Sequence, residues 1–243
     1  MKDFSTIRFS LRAGIATITL DRPEARNALN GAMCGDLLAA TKIIAADVTV
    51  KVVFIEGAGP VFCAGADLKE RQGMTREQVR ERRLKGFAAY GALEALPMPV
   101  IAVVRGAALG SGVEIAAACD FIVATPDATF GTPEAIRGTV GATQRLPRIL
   151  GKRLAKDLMF TGRRLSADEA KEAGFVSRVV QESLLDQTIQ EISKTILAAS
   201  TAAMRLAKRC IDRGVELDPQ GALQVELAAI DEQLASGSWL GKQ

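Results

Sequence analysis

Glu114 and Glu134 are the side chains best suited to acid–base chemistry. Glu114 stands near the start of a helix-like segment in an otherwise apolar stretch, Val113-x-Ile115-Ala116-Ala117-Ala118. A carboxylate there is either a helix-dipole partner or a desolvated acid/base with a raised pKa. Glu134 lies in Phe130-Gly131-Thr132-Pro133-Glu134-Ala135-Ile136, a turn opening another helix. Its other reading is an ordinary acidic first-turn residue behind a Thr cap and a Pro. Together the two carboxylates could share a water and a proton. Two glycine-rich turns accompany them, Phe62-Cys63-Ala64-Gly65-Ala66-Asp67-Leu68 and Gly106-Ala107-Ala108-Leu109-Gly110-Ser111-Gly112, each following an apolar strand and leading into a helix. Small residues let a ligand approach the backbone, and free N–H groups at helix starts suit an anion or a developing oxyanion. One N–H from each turn would make a pair. The alternative for either turn is a tight bend that permits close helix packing. Neither is a P-loop, because no Gly-Lys-Ser/Thr follows.

Composition narrows the chemistry. The chain has 243 residues and no histidine. This excludes Ser-His-Asp and Cys-His dyads, HExxH zinc sites and histidine metal triads, and leaves carboxylates as the leading acid–base groups. With 48% hydrophobic and 24% charged residues and a net charge of +3, the chain reads as soluble and globular, with no partner implied by charge. Cys34, Cys63, Cys119 and Cys210 form no CxxC pair and are expected to be reduced thiols of a cytoplasmic protein. No uncharged run approaches the roughly 20 residues of a membrane span. Met-Lys-Asp-Phe-Ser leads straight into strand-like sequence and reads as no signal peptide.

The positioning elements follow from periodicity. Thr6–Ser10 and Ile15–Leu20 alternate as a hairpin, and Met33, Leu37, Ala40 and Ile44 then recur at helical spacing behind a cap at Asn30. Val52–Ile55, Val100–Val104 and Phe121–Ala124 are compact apolar strands. A long helix starts near Thr75 and ends before Pro97 and Pro99, and an alanine-rich helix runs through Cys119. Ser166-x-x-Glu169 is a capping box, Val176–Val180 a last strand, and Ser183–Ala199, Thr201–Gly214 and Pro219–Ala235 are helical. The recurring strand, turn and helix without a fixed period indicate a layered α/β core over residues 1–180. Residues 181–243 form a helical region that packs on the core or on a neighbouring subunit.

These segments resemble the crotonase, or enoyl-CoA hydratase/isomerase, superfamily. The resemblance runs from the first strand to about Asp218. It rests on Asp21-Arg22-Pro23-x-x-x-Asn27-Ala28-Leu29, on the two glycine-rich turns through Glu114, and on Phe130-Gly131-x-Pro133-Glu134. Thr143-Gln144-Arg145-Leu146-Pro147-Arg148 and Ala170-x-x-Ala173-Gly174-x-Val176 complete it. The spacing of the carboxylates, 134 − 114 = 20, is that of the family's hydratases.

The resemblance implies a spiral α/β core of ββα turns with a C-terminal helical region that builds trimers, often paired into hexamers. It implies an acyl-CoA substrate whose thioester carbonyl accepts hydrogen bonds from the backbone N–H groups of Ala66 and Ser111. Glu114 and Glu134 would grip the catalytic water, Glu134 delivering a proton to Cα. Ala66, Asp67, Leu68 and Lys69 would line the pantetheine path, with Arg26 and Ala28 near the nucleotide. No separate cofactor and no metal is implied, because CoA arrives as part of the substrate. Both carboxylates being present favours hydration over double-bond isomerisation, and Ala66-Asp67-Leu68-Lys69-Glu70-Arg71 resembles the branch acting on branched or methylglutaconyl-type enoyl-CoAs.

Three departures stand out. Ser111 replaces the glycine usual in hydratases, and its hydroxymethyl group is expected to crowd the thioester. The chain between Glu134 and Thr143 is a few residues shorter than the usual glycine-rich loop beside the acyl pocket. Residues 236–243 lack the family's closing segment over the nucleotide, which implies weaker CoA binding. A different class of function, RNA binding, would rest on Arg80-x-Arg82-Arg83-x-Lys85 and on Arg145, Arg148, Lys152, Arg153 and Lys156. Both clusters are interrupted by apolar or acidic residues, carry no aromatics, and read more simply as solvated faces or CoA phosphate contacts. A third alternative is the same fold without hydratase turnover.

Overall fold

Ala16, Ile18 and Leu20 alternate on one face of the hairpin's second strand and are all fully buried, while Ile15 on the other face packs partly buried against a second apolar cluster. In the computed structural model, which describes residues 3–236, β1 (Ile7–Arg12) pairs antiparallel with β2 (Ile15–Leu20). Every later neighbour in this sheet is parallel. Its order is β1-β2-β3-β4-β6-β9, with β3 at Val52–Gly57, β4 at Val100–Val104, β6 at Phe121–Ala124 and β9 at Arg178–Val179. Residues Val52–Ile55 and all of β4 are buried, as strands covered on both faces must be.

The helices begin where the sequence places their caps. Asn30 Oδ1 accepts the Met33 N–H at 2.8 Å and starts α1 (Gly31–Ala46), which buries Met33, Leu37, Ala40 and Ile44. Thr75 and Gln78 form a capping box for α2 (Arg76–Glu94), and Ser166 and Glu169 form another for α5 (Ala167–Glu172).

A second sheet was not foreseen. The middle of the Gly106–Gly112 turn is a strand, β5 (Ala107–Leu109), paired parallel with β7 (Thr129–Gly131), which pairs with β8 (Arg164–Ser166). Three residues between glycines carry no usable alternation, so only their partner strand reveals them. The helix after them, α3, spans Ser111–Ala117 rather than reaching Cys119. The expected strand at 176–180 shortens to β9, which pairs only with Val123 and Ala124 of β6.

After α4 (Arg145–Thr161) and α5 come α6 (Glu182–Ala198), α7 (Thr201–Gly214) and α8 (Pro219–Ala235). Leu185, Ile192 and Ile196 of α6 cover Val52, Phe54, Ile101, Val103 and Val123 of the main sheet. By contrast α7 buries no residue and α8 only Ala229. Among the described residues, no helix is long and apolar enough to cross a membrane. Residues 237–243, to which most of the expectation about nucleotide closure attaches, lie outside the described residues.

Candidate active site

Two short bridges bring the glycine-rich turns together. The Cys63 N–H donates to the Ala107 carbonyl at 3.1 Å, and the Leu109 N–H donates to the Cys63 carbonyl at 2.9 Å. Leu29 ties the first turn from the other side, donating to Gly65 at 2.8 Å and accepting from Asp67 at 2.9 Å. Ala66, between those two bonds, therefore directs its own N–H away from Leu29. Ser111 is the first residue of α3, where an N–H has no intrahelical acceptor. Among the described residues neither amide donates to a backbone carbonyl, and both residues line one cavity of about 480 Å³.

Asn27 holds the frame behind this pair. It is fully buried in a left-handed conformation, φ 53°. Its Oδ1 accepts the Arg22 N–H at 2.9 Å, while Nδ2 donates to Ala58 at 2.9 Å and to Val61 at 2.7 Å. Its side chain thus ties the segment at Arg22 to the chain entering the first turn.

Glu114 and Glu134 both line the cavity. Glu114 is buried on the first turn of α3, and the Arg145 Nη1 donates to its Oε2 at 3.1 Å. Burial raises its pKa, and Arg145 opposes that rise. Glu134 caps a 3-10 turn, Ala135–Arg137. No side-chain hydrogen bond caps that turn, and the Thr132 hydroxyl is buried without a partner, so the Thr-capped helix expected here does not form. Glu134 Oε2 is likewise buried with no partner. Burial again raises the carboxyl's pKa and nearby Glu114 adds to the rise, while its own amide, Arg83 and Arg137 oppose it. The carboxyl sits hard against the second turn, because a Cβ built on Gly110 would lie 2.7 Å from Oε1.

Arg145, read from the sequence as one of a basic cluster, is placed differently by the structure. It is no solvated or phosphate-binding cation. It spans Glu114 and Glu94, the latter at 2.6 Å, and lies 5.9 Å from the centroid of the Tyr90 ring. Its partners sit 31 and 51 positions away on α3 and α2, so no local signal marks it. Tyr90 was also missed. Its phenol is buried, burial raises its pKa, and it lines the same cavity as Ser111.

The remaining predicted residues divide. Leu68 lines the cavity with Ala66. Asp67 serves its own turn, accepting the amides of Lys69 at 3.0 Å and Glu70 at 3.2 Å and pairing with Arg22 at 3.0 Å. Those hydrogen bonds, with the Arg22 charge, hold its carboxyl below the usual range although burial works against them. Arg26, Ala28 and Lys69 stand outside the cavity wall, Arg26 and Lys69 exposed. Arg82 is buried, paired with Glu70 and donating to the Leu29 carbonyl. Glu70 also accepts the Gly31 amide at 2.7 Å, so this pair clamps the first turn to α1 and α2. Arg82 and Arg145 are thus committed to Glu70 and to Glu94 and Glu114, and Arg148 meets Glu216 at the surface at 3.6 Å, while Arg80, Lys152, Arg153 and Lys156 are exposed.

Comparison with known proteins agrees with this architecture. The enoyl-CoA hydratase/isomerase family model matches residues 10–237. A short-chain-enoyl-CoA hydratase of Clostridium acetobutylicum is 40% identical over 222 residues, covering 90% of this chain and 85% of that protein. The human mitochondrial enoyl-CoA hydratase domain-containing protein 2 is 42% identical over 223 residues, covering 88% and 76%. The crystal structure of an enoyl-CoA hydratase from Bacillus anthracis superimposes with a TM-score of 0.90 at 40% identity, over 93% of this chain and 90% of that one. The parallel spiral core, the two joined turns and these matches make the chain a member of the enoyl-CoA hydratase/isomerase family, with the crotonase fold.

Proposed function

We propose that this enzyme adds water across the 2,3 double bond of a 2-enoyl-CoA thioester to give the 3-hydroxyacyl-CoA. The observation that carries the reading is the unequal setting of two carboxyls on one cavity wall. Glu114 receives a charge-assisted hydrogen bond from Arg145, whereas Glu134 Oε2 is buried without a partner. Two carboxyls so differentiated divide into base and acid. Glu114, ionised, takes a proton from water as its oxygen bonds to Cβ. The thioester oxygen gathers negative charge between the Ala66 and Ser111 N–H groups, and Glu134 gives its proton to Cα. A proton returned from Glu114 to Glu134 through solvent resets the site. No cofactor is needed beyond the CoA that the substrate carries.

Incubation with crotonyl-CoA is expected to bleach the enoyl-thioester absorbance. Formation of a 3-enoyl isomer without a hydroxyacyl product would instead assign isomerisation.

The protonation roles also set the pH profile. Activity falls on the acid side as Glu114 becomes protonated and on the alkaline side as Glu134 loses its proton. Arg145→Gln removes the cation that lowers the Glu114 pKa, so that pKa rises further and the acid limb of kcat/KM moves to higher pH. An acid limb identical to wild type would remove Arg145 from the mechanism.

We further infer that copies associate through α7 and α8, as a trimer or hexamer. Ile211 on α7, Val215 just after it, and Leu223, Leu227, Ile230 and Leu234 on α8 are all exposed, a concentration of apolar side chains that suits an interface between copies. Sedimentation equilibrium is expected to give three or six chains per particle, and a monomer would overturn this. The four cysteines are free thiols, which suits a reducing compartment such as the cytoplasm.

A further inference from the structure

The cavity wall is not uniformly apolar. Leu29, Val79, Phe87 and Val140 line it, but so do Arg71, Arg82, Arg83 and Arg137. Arg82 is neutralised by Glu70. Among the described residues, Arg71, Arg83 and Arg137 have no carboxylate within ion-pair distance. Arg71 belongs to the segment that continues from the Ala66 turn. Arg83 and Arg137 are instead the arginines near Glu134. Arg83 extends from α2 and donates to the Val140 carbonyl at 2.5 Å, using one of its five N–H donors. Arg137 closes the 3-10 turn that begins at Glu134. Both guanidinium charges are felt at the Glu134 carboxyl.

A thioester held between the Ala66 and Ser111 amides would share its cavity wall with Glu114, Glu134 and these two arginines. Arg83 is half-buried and Arg137 exposed, and a plain hydrocarbon tail would offer neither a counter-charge. A terminal carboxylate would satisfy them with charge-assisted, bidentate geometry. Resting on the acyl-CoA reading of this site, we propose that the acyl group it selects ends in a carboxylate, held by Arg83 and Arg137, with Val79, Phe87 and Val140 around its stem.

The test compares two saturated, unreactive ligands of equal carbon number, glutaryl-CoA and pentanoyl-CoA, which differ at the far end by carboxylate against methyl. Titration calorimetry with the intact protein is expected to show glutaryl-CoA binding about tenfold tighter or more, with the advantage shrinking as salt is raised. Arg137→Gln is expected to bring the ratio close to one by weakening glutaryl-CoA alone, and Arg137→Lys to restore part of it. Equal or tighter binding of pentanoyl-CoA by the wild type would overturn the proposal. So would an equal loss for both ligands in Arg137→Gln, which would place that arginine on the CoA phosphates. Neither ligand can be hydrated, so this comparison fails or succeeds independently of the crotonyl-CoA assay.

Discussion

Glu134→Gln is expected to lower kcat for hydration by about 10²–10⁴-fold, the usual contribution of a positioned proton donor. The substitution keeps the shape of the side chain and removes the titratable proton. Glu134 Oε2 has no partner to lose, and the residue's backbone contacts, including the Thr139 amide on its carbonyl at 2.8 Å, do not depend on the carboxyl. Stability should therefore change little. KM should also change little, since the proposed oxyanion contacts are backbone amides of Ala66 and Ser111. Rapid-mixing or steady-state assays, paired with thermal unfolding, separate these outcomes. A variant that hydrates crotonyl-CoA at the wild-type rate would remove Glu134 as the acid. The same experiment on Glu114→Gln asks a different question, because there the exchange also breaks the hydrogen-bonded ion pair with Arg145.

Gly112→Ala is expected to cost about 10²–10³-fold in kcat without touching a catalytic side chain. Gly112 packs on the first turn so closely that a Cβ there would sit 2.9 Å from the Cys63 Cβ and nearer still to the Cys63 carbonyl oxygen. The backbone of that turn cannot yield cheaply, since its N–H and carbonyl bond to Ala107 and Leu109. The start of α3 must move out instead, carrying the Ser111 amide away from the Ala66 amide. Losing one oxyanion donor from position typically has this kinetic cost. Overpacking of this kind also costs roughly 1–3 kcal/mol of stability. For a chain of this size each kcal/mol lowers Tm by about 2–4 °C. Assay well below the variant's Tm distinguishes a displaced donor from an unfolded protein. Wild-type kcat in a folded Gly112→Ala protein would show that the two amides need no such spacing.

Much of this site was legible because its parts are local. Glu114 and Glu134 announce themselves by carboxylates set among small and apolar residues. Asn30, Thr75 and Ser166 cap helices through bonds that span three positions. The short strand β5 was hidden because its only signal is the partner β7, and the Thr132 cap failed because tertiary packing placed a 3-10 turn where a helix was expected. Arg82 and Arg145 were read as members of solvated basic clusters. Each is in fact committed to carboxylates on other elements, Glu70 for the first and Glu94 and Glu114 for the second. Nothing in their immediate neighbours distinguishes them from exposed arginines such as Arg80.

From the chain alone followed the kind of chemistry available, carboxylates and backbone amides in a protein without histidine, and the turns that carry them. Those properties reside in residue identity and short-range spacing. How differently the two carboxyls are set was decided only by the tertiary structure. That difference depends on burial and on one arginine brought from a distant helix, and electrostatic energies are set by distance in space and by exclusion of water. The same long-range placement left Arg83 and Arg137, unremarkable in the sequence, on the cavity wall with no carboxylate partner among the described residues.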